Sequence, residues 1–271
     1  MALPTIHDLK SFLPLIKWLV YSPPGVGKTT FAAKVAERED MRPVLIVNID
    51  RGESSVMDAT HVKQVFPGYN DDGTRNYTTL KDIEDIIWAI ISKKPGWEFK
   101  TVIIDSISEL QARNLEEIVY WDMKMNPKAD RNKDRSIDDI HVNDYGTSTS
   151  NIRRVVRMLR DAHIHVIITA WMSVVREKKK DGGEGPILAI EPMLTDKLGK
   201  AVRGLVEAVW YMYIDEKDSD KQRVILTEKK GVVEAKTRVA AWQKMLGNEV
   251  RDPHPVTMYE QLIKAVSKGE K

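Results

Sequence analysis

The segment Leu19-Val20-Tyr21-Ser22-Pro23-Pro24-Gly25-Val26-Gly27-Lys28-Thr29-Thr30-Phe31 joins an apolar run to a helical pattern through a short loop with two glycines. This order of strand, loop and helix is that of a Walker A motif. Backbone N–H groups of such a loop, together with the N-terminus of the helix, bind anionic phosphates. The sequence therefore predicts a nucleotide-phosphate site at residues 22–30, in which Ser22 replaces the usual first glycine.

Two further features would complete a site for ATP and Mg²⁺. Lys28 would reach the β- and γ-phosphates, and the Thr29 hydroxyl would bind the metal. The apolar run 102–104 ends in Asp105, as in a Walker B motif. A carboxylate at the end of a second strand holds Mg²⁺ and its waters in P-loop proteins. We therefore predict ATP and Mg²⁺ as cofactors, with Thr29 and Asp105 as metal ligands.

Short, almost wholly apolar runs recur at 18–21, 44–47, 102–104 and 166–168. Runs without alternation are typical of strands that are buried on both faces, and helical patterns lie between them. The sequence thus predicts an α/β fold with a mainly parallel central sheet flanked by helices.

The last third of the chain differs, because it predicts an antiparallel C-terminal extension of the sheet. The runs that predict its strands are 209–214, 223–227 and 232–235, and residues 257–268 predict a closing helix. We assign residues 1–238 to one core domain, with 1–15 as an N-terminal arm. Residues 239–271 form the predicted C-terminal helical extension.

Composition narrows the classes of function. The 271 residues include no cysteine, which excludes a disulfide framework and a thiolate metal site and favours a reducing compartment such as the cytoplasm. No segment approaches the roughly 20 apolar residues that span a bilayer, so we expect no membrane partner. Lys and Arg total 42 against 40 acidic residues, so any affinity for nucleic acid must come from local patches.

His163 and His165 lie two apart before a predicted strand, which favours a structural role for both.

The residue after Asp105 is Ser106, whereas AAA-type enzymes usually place a water-activating glutamate there. The pair instead resembles the RecA-like branch, in which the catalytic carboxylate follows the strand after the P-loop helix. Asp50 matches that position and is one methylene shorter than the glutamate of that family. We favour Asp50 as the group that orients the attacking water and accepts its proton. Glu53 is the alternative, and a structural role for both carboxylates is the third possibility.

Two more motifs resemble RecA-like sites. The run 166–170 resembles a sensor strand that ends near the γ-phosphate, with Thr169 as the sensor and Trp171 where a polar residue is usual. Lys236 and Arg238 resemble a Lys-x-Arg finger that enters a neighbour's ATP site, and strand alternation would aim both the same way. The alternative is a solvated edge with two charges. A finger acting in trans predicts a homo-oligomer, either a ring or a filament.

Together these motifs resemble those of phage RecA-core ATPases that act in single-strand annealing and recombination. The resemblance spans residues 17–238 and rests on VYSPPGVGKTTFA, NID, VIIDS, DYG, IITAW and EAKTR. It implies a RecA-like P-loop NTPase that hydrolyses ATP with stimulation by DNA. The shorter side chain of Asp50 predicts slow turnover or a shift of the role to Glu53. The resemblance also implies ATP-dependent binding and pairing of single-stranded DNA, in concert with a single-strand-binding protein, in the cytoplasm of a bacterial host.

Two cationic segments are candidates for contact with DNA phosphates. The first segment is one face of a predicted helix, formed by Arg153, Arg157 and Arg160. The second precedes a glycine-rich loop at the place of the mobile DNA-binding loop of RecA-like proteins, and consists of Arg176, Lys178, Lys179 and Lys180. Either segment could bind phosphates, and either could instead be a solvated surface.

A second hypothesis of function stays open, because Ser22, Asp50 and Trp171 all depart from the family pattern. The chain could be an ATP-dependent switch or loader for a replication protein, with little hydrolysis. A small-molecule kinase is less favoured, because no acceptor site is evident and the Lys-x-Arg motif is of the oligomer type.

Overall fold

A computed structural model of the protein describes residues 14–52, 56–179, 183–216 and 221–268. The strands are β1 (Lys17–Ser22), β2 (Val44–Asn48), β3 (Val62–Val65), β4 (Thr101–Asp105), β5 (His165–Lys178), β6 (Glu184–Pro192), β7 (Ala208–Ile214), β8 (Arg223–Leu226), β9 (Lys236–Thr237) and β10 (Glu249–Arg251). The helices are α1 (Lys28–Ala33), α2 (Thr79–Ile91), α3 (Ile107–Met125), α4 (Val142–Asp161), α5 (Asp196–Leu205), α6 (Ala240–Leu246) and α7 (Pro255–Lys268).

The strands form a sheet in the order β10-β8-β7-β1-β5-β4-β2-β3. The six strands from β7 to β3 in this order run parallel. Strands β8 and β10 extend the sheet in antiparallel fashion, and β9 pairs antiparallel with the start of β7. Strand β6 folds back on β5 as a hairpin. The predicted parallel sheet with an antiparallel C-terminal extension is confirmed.

Both faces of the parallel sheet are covered by helices, which explains the apolar runs without alternation. Along β1, Leu19 and Tyr21 enter a core cluster formed with α2, α3, α4 and α5. The intervening Trp18 and Val20 enter a second cluster formed with α1, α6 and α7. Since successive side chains point to opposite faces, a strand between two helical layers needs an apolar residue at every position.

The antiparallel extension differs from the prediction at one strand. Residues 232–235 do not form a strand. Gly231 has a φ of 58°, and a turn there brings Val233 back to Lys230. The chain pairs with the sheet only after this turn, through β9. Glycine adopts this left-handed conformation at little cost, so the turn displaces the strand that the apolar run suggested.

The C-terminal segment shares the core of the parallel sheet. Trp242 of α6 packs on Trp18 of β1 and Trp210 of β7, with ring centroids 5.6 and 5.3 Å apart. Strand β10 adds to the sheet beside β8. The predicted closing helix is present as α7 and begins at Pro255, a residue that is favoured in the first turn of helices. Within the described ranges, every helix is too short or too polar to cross a lipid bilayer.

His165, at the start of β5, is only 6% exposed and accepts a hydrogen bond from the Ile16 N–H at its Nδ1, 3.2 Å away. Burial is the main cause that lowers the pKa of His165 to about 4. The structure therefore places this histidine in the core as a neutral acceptor, in line with the structural role expected for it.

The free energy of unfolding should fall as the pH drops from about 6.5 to about 4. In this window the unfolded chain binds a proton at this histidine and the folded chain does not, so protonation favours unfolding by up to about 3 kcal/mol. Urea unfolding at pH 7 and pH 4.5 measures the effect. His165→Gln keeps an acceptor and does not titrate, so its stability should vary less with pH. An equal pH dependence in both proteins would contradict the assignment.

Candidate active site

The loop between β1 and α1 is shaped by its two glycines. Gly25 and Gly27 have φ values of 76° and 102°, in the left-handed region that side chains disfavour. The helix is joined to the loop by a hydrogen bond from the Phe31 N–H to the Gly27 carbonyl, 2.9 Å long. The loop therefore curls at the C-terminal edge of the parallel strands, where backbone N–H groups at the start of α1 can bind phosphate.

Lys28 lies inside this loop and is only 8% exposed. Its Nζ donates hydrogen bonds to Ser22 Oγ at 3.1 Å and to the Pro23 carbonyl at 3.5 Å. Burial lowers the pKa of Lys28, while the carboxylates of Asp105 and Asp50 act in the opposite direction. The hydroxyl that replaces the usual glycine thus binds the ammonium of the motif's own lysine.

Asp105, at the end of β4, is held by two threonine hydroxyls. Thr29 donates to its Oδ2 at 2.7 Å, and Thr169 of the neighbouring β5 donates to its Oδ1. Burial is the largest cause that raises the pKa of Asp105, and the two hydroxyl hydrogen bonds and Lys28 oppose it. The structure thus places Thr169, predicted as a γ-phosphate sensor, fully buried behind the Walker B carboxylate.

The predicted metal ligands therefore lie together. Thr29 and Asp105 present a hydroxyl and carboxylate oxygens, the hard oxygen ligands that Mg²⁺ prefers. A Mg²⁺ ion bound with ATP needs few protein ligands, since phosphate oxygens and waters complete its octahedral shell. The residues present fit this ion.

Asp50 follows β2 and lies beside the end of β4. Its Oδ1 accepts hydrogen bonds from the Ser106 N–H at 3.0 Å and the Ser106 hydroxyl at 2.8 Å. Its Oδ2 accepts a hydrogen bond from the Trp171 indole N–H at 2.9 Å. Each carboxylate oxygen has two acceptor sites, so Oδ2 keeps one for a water molecule. The alternative candidate, Glu53, lies outside the described residues.

Trp171 has a role that the sequence analysis did not foresee. Its indole N–H donates a hydrogen bond to Asp50, the candidate catalytic carboxylate. It stands two residues after Thr169 on β5, at the position where a polar side chain is usual in the resembled family. The indole N–H supplies a hydrogen-bond donor there.

Arg223, at the start of β8, is a cation beside the P-loop that the sequence analysis missed. Its Nε donates to the Val26 carbonyl at 2.8 Å, and a Cβ added to Gly27 would lie 3.1 Å from that Nε. The side chain is exposed, so its remaining N–H groups can contact a bound nucleotide. Arg223 and Val26 lie 197 positions apart. The sole signal in the sequence for a role of Arg223 was its place as a cation at the start of a predicted strand.

Lys236 and Arg238 are far from the P-loop of their own chain. Lys236 Nζ donates to the Arg203 carbonyl, and Arg238 Nη2 donates to the Gly204 carbonyl at 2.8 Å. These carbonyls end helix α5, where cations are favourable. Because β9 pairs with the start of β7, both cations lie at the N-terminal edge of the parallel strands. From that edge they do not reach the ATP site of their own chain.

The two candidate DNA segments lie at opposite edges of the sheet. The β5–β6 hairpin carries Arg176, Lys178 and Lys179 beyond the C-terminal ends of the parallel strands, and Arg176 Nε lies 3.2 Å from Glu184. Lys180 is outside the described residues. Helix α4 runs back along the sheet into β5, so the exposed residues of its last turns lie at the other edge.

The α4 face is formed by Arg153, Arg157 and Arg160. Of these three, Arg160 is neutralised by Asp161, with Nε and Oδ1 2.6 Å apart. The structure therefore brings the predicted ATP and metal residues together and separates the predicted DNA residues into two sites.

A protein family model and a solved structure are similar to this chain. The model of the AAA_24 family, described as an AAA domain, matches residues 15–239. No curated protein sequence matches the chain. Among solved structures, a KaiC-like protein from the hyperthermophilic archaeon Pyrococcus horikoshii is 14% identical, with a TM-score of 0.41, covering 80% of this chain and 82% of that one.

The strand order and the P-loop beside the Walker B carboxylate are those of the RecA-like P-loop NTPase fold expected from the sequence. Because the family model covers most of its length, the chain belongs to the AAA_24 family of AAA domains and is a P-loop ATPase domain.

Proposed function

We propose that this protein hydrolyses ATP and couples hydrolysis to the binding of single-stranded DNA. The observation that supports the coupling is the course of β5. The strand passes the ATP site at Thr169 and Trp171 and then continues into the β5–β6 hairpin, where Lys178 and Lys179 are exposed. A strand that carries both groups can transmit a displacement of the hairpin to the carboxylate that Trp171 binds.

In this proposal the backbone N–H groups of the loop and the Lys28 ammonium hold the β- and γ-phosphates. Lys28 exchanges its contact with Ser22 Oγ for one with a phosphate oxygen. Thr29 and Asp105 hold Mg²⁺, which neutralises phosphate charge when it is bound. Asp50 orients a water molecule at its Oδ2 and accepts the proton of that water as it attacks the γ-phosphate.

The resemblance of the sequence motifs extends the proposal to a biological role. We place the protein among phage ATPases that anneal single strands in recombination, acting with a single-strand-binding protein in the cytoplasm of the bacterial host. Pairing of complementary oligonucleotides, measured with and without ATP, tests the annealing step.

The coupling is tested by measuring the ATPase rate with and without oligothymidylate, together with the mass of the protein in solution. We expect DNA to raise the rate of an assembled species, in a salt-sensitive way, because phosphate contacts release counterions. The double variant Lys178→Glu, Lys179→Glu should lose the stimulation. Lys128→Glu with Lys133→Glu, which changes the same charge at exposed sites elsewhere, should keep it. Equal stimulation in both variants would contradict a hairpin site.

A second candidate function is an ATP-dependent switch or loader that hydrolyses little. It is favoured by one observation, the three hydrogen bonds that the Asp50 carboxylate accepts from Ser106 and Trp171, because a carboxylate held in this way can fix the loop after β2 without activating a water molecule. Tight ATP binding without turnover, unchanged by oligothymidylate, would support the switch and overturn the coupled ATPase.

We also propose that Arg238 and Lys236 complete the ATP site of a neighbouring subunit. Inactive Lys28→Ala subunits mixed with inactive Arg238→Ala subunits should then recover turnover, since some interfaces join an intact P-loop to an intact finger. A finger in trans contributes about 10³ or more in rate. Because Arg238 also binds the end of α5, thermal melting must first show that Arg238→Ala is folded. Co-assembly of the two variants without recovery would contradict a finger in trans.

A further inference from the structure

A large groove lies between α2 and α4, at the N-terminal edge of the parallel strands and away from the ATP site. Its volume is about 1120 Å³. Apolar side chains form its floor and one wall, namely Trp88, Ile90, Ile91, Phe99, Met158 and Ile164. Trp88 is 60% exposed and Ile91 43%. Exposed apolar side chains that line a groove favour its use as a binding site for another molecule.

The rim of this α2–α4 groove is positively charged. Five cations line it against two carboxylates, namely Lys93, Lys100, Arg153, Arg154 and Arg157 against Glu98 and Asp161. Arg154 is paired with Glu84 of α2 at 2.6 Å. Neither Arg153 nor Arg157 forms an ion pair with any residue that the structure describes. Two guanidinium groups beside an exposed tryptophan are therefore available to an anionic partner.

We propose that the α2–α4 groove is the docking site for an acidic peptide segment of a partner protein. Bulky apolar side chains of the peptide fill the floor beside Trp88, and its carboxylates pair with Arg153 and Arg157. Tryptophan and arginine are the residues that most often dominate binding energy at protein interfaces. The fork of a guanidinium group matches a carboxylate through two parallel hydrogen bonds.

The floor favours a peptide over a DNA strand. Single-stranded nucleic acid binds where successive bases stack on aromatic rings along a continuous basic track. Among the described lining residues, Trp88 and His163 are the exposed aromatic side chains, because Phe99 is buried and the remaining floor is aliphatic and methionine. Glu98 and Asp161 interrupt the basic track. In this proposal Arg153 and Arg157, two of the three α4 arginines that are candidates for contact with DNA, belong to the peptide site.

The test is fluorescence anisotropy of a short labelled peptide in which Asp and Glu alternate with Leu and Phe, titrated with the full chain. We expect saturable binding that weakens with added salt. A peptide with lysine at each acidic position should not bind. Trp88→Ala and Arg157→Glu should each weaken binding at least tenfold, in the range of an interface hot spot. The matched controls Trp121→Ala and Lys133→Glu change an exposed tryptophan and an exposed cation outside the groove and should have no effect.

Four results would overturn the proposal. The first is equal binding of the acidic and basic peptides, and the second is unchanged affinity in both groove variants. Displacement of the peptide by oligothymidylate, with the same dependence on Trp88 and Arg157, would make the groove a DNA site. A smaller assembled mass in Trp88→Ala would make it an interface between copies of this chain. None of these readouts depends on ATP turnover, so failure here is distinguishable from failure of the proposed ATPase function.

Discussion

Lys28→Ala should abolish ATP turnover, with a fall in rate of at least about 10²-fold and a loss of ATP affinity. The reason is that Lys28 is the buried cation inside the phosphate-binding loop, and removal of one preorganised donor to a transition-state oxygen costs about 10² to 10³ in rate. Steady-state ATPase assays and calorimetric titration with ATP measure the two effects.

The matched control is Ser22→Ala, which removes one of the two hydrogen-bond partners of Lys28 and keeps the ammonium. We expect Ser22→Ala to bind ATP, because the lysine remains available to the phosphates. A folded Lys28→Ala variant that binds and hydrolyses ATP like the wild type would overturn the assignment of residues 22–30 as the phosphate site.

Asp50→Asn should keep ATP affinity and lose hydrolysis, with a fall in kcat of about 10² to 10⁴. An amide cannot accept the proton of the attacking water, whereas the phosphate contacts of the loop are untouched. The amide also keeps one acceptor oxygen, so it can satisfy Ser106 or Trp171 but not both. Single-turnover hydrolysis and ATP binding, measured on the same protein, separate the two effects.

Two companion variants sharpen this prediction. Trp171→Phe removes the indole N–H and keeps an aromatic ring, so it should change kcat and leave ATP affinity unaltered if that hydrogen bond orients Asp50. Glu53→Gln tests the alternative carboxylate. Loss of hydrolysis in Glu53→Gln together with an active Asp50→Asn would reverse the roles of the two residues.

The variant Trp171→Phe also tests the coupling between the β5–β6 hairpin and the ATP site. Trp171 lies on β5 between Thr169, which binds the Walker B carboxylate, and the exposed lysines of the hairpin. If DNA at the hairpin acts through this strand, Trp171→Phe should reduce stimulation by DNA more than it reduces DNA affinity. Equal losses of stimulation and of DNA affinity would contradict a coupling through β5.

The sequence by itself determined the phosphate loop, the Walker B strand and the layered architecture. These features are local, because two glycines with positive φ, a following Lys-Thr pair and apolar runs without alternation each specify their own conformation and burial. That Asp105 lies beside Thr29 could be predicted from the sequence, since the C-terminal ends of parallel strands meet at one edge of a sheet.

Only the tertiary structure decided the contacts between distant segments. The hydrogen bond from Trp171 to Asp50 spans 121 positions, and the one from Arg223 to Val26 spans 197. Strand order, which no local pattern encodes, brings these pairs together. The same order sends the arginines of α4 and the lysines of the hairpin to opposite edges, although the two segments are close in sequence. Periodicity and turn residues fix each element, whereas which side chains meet depends on how the elements pack.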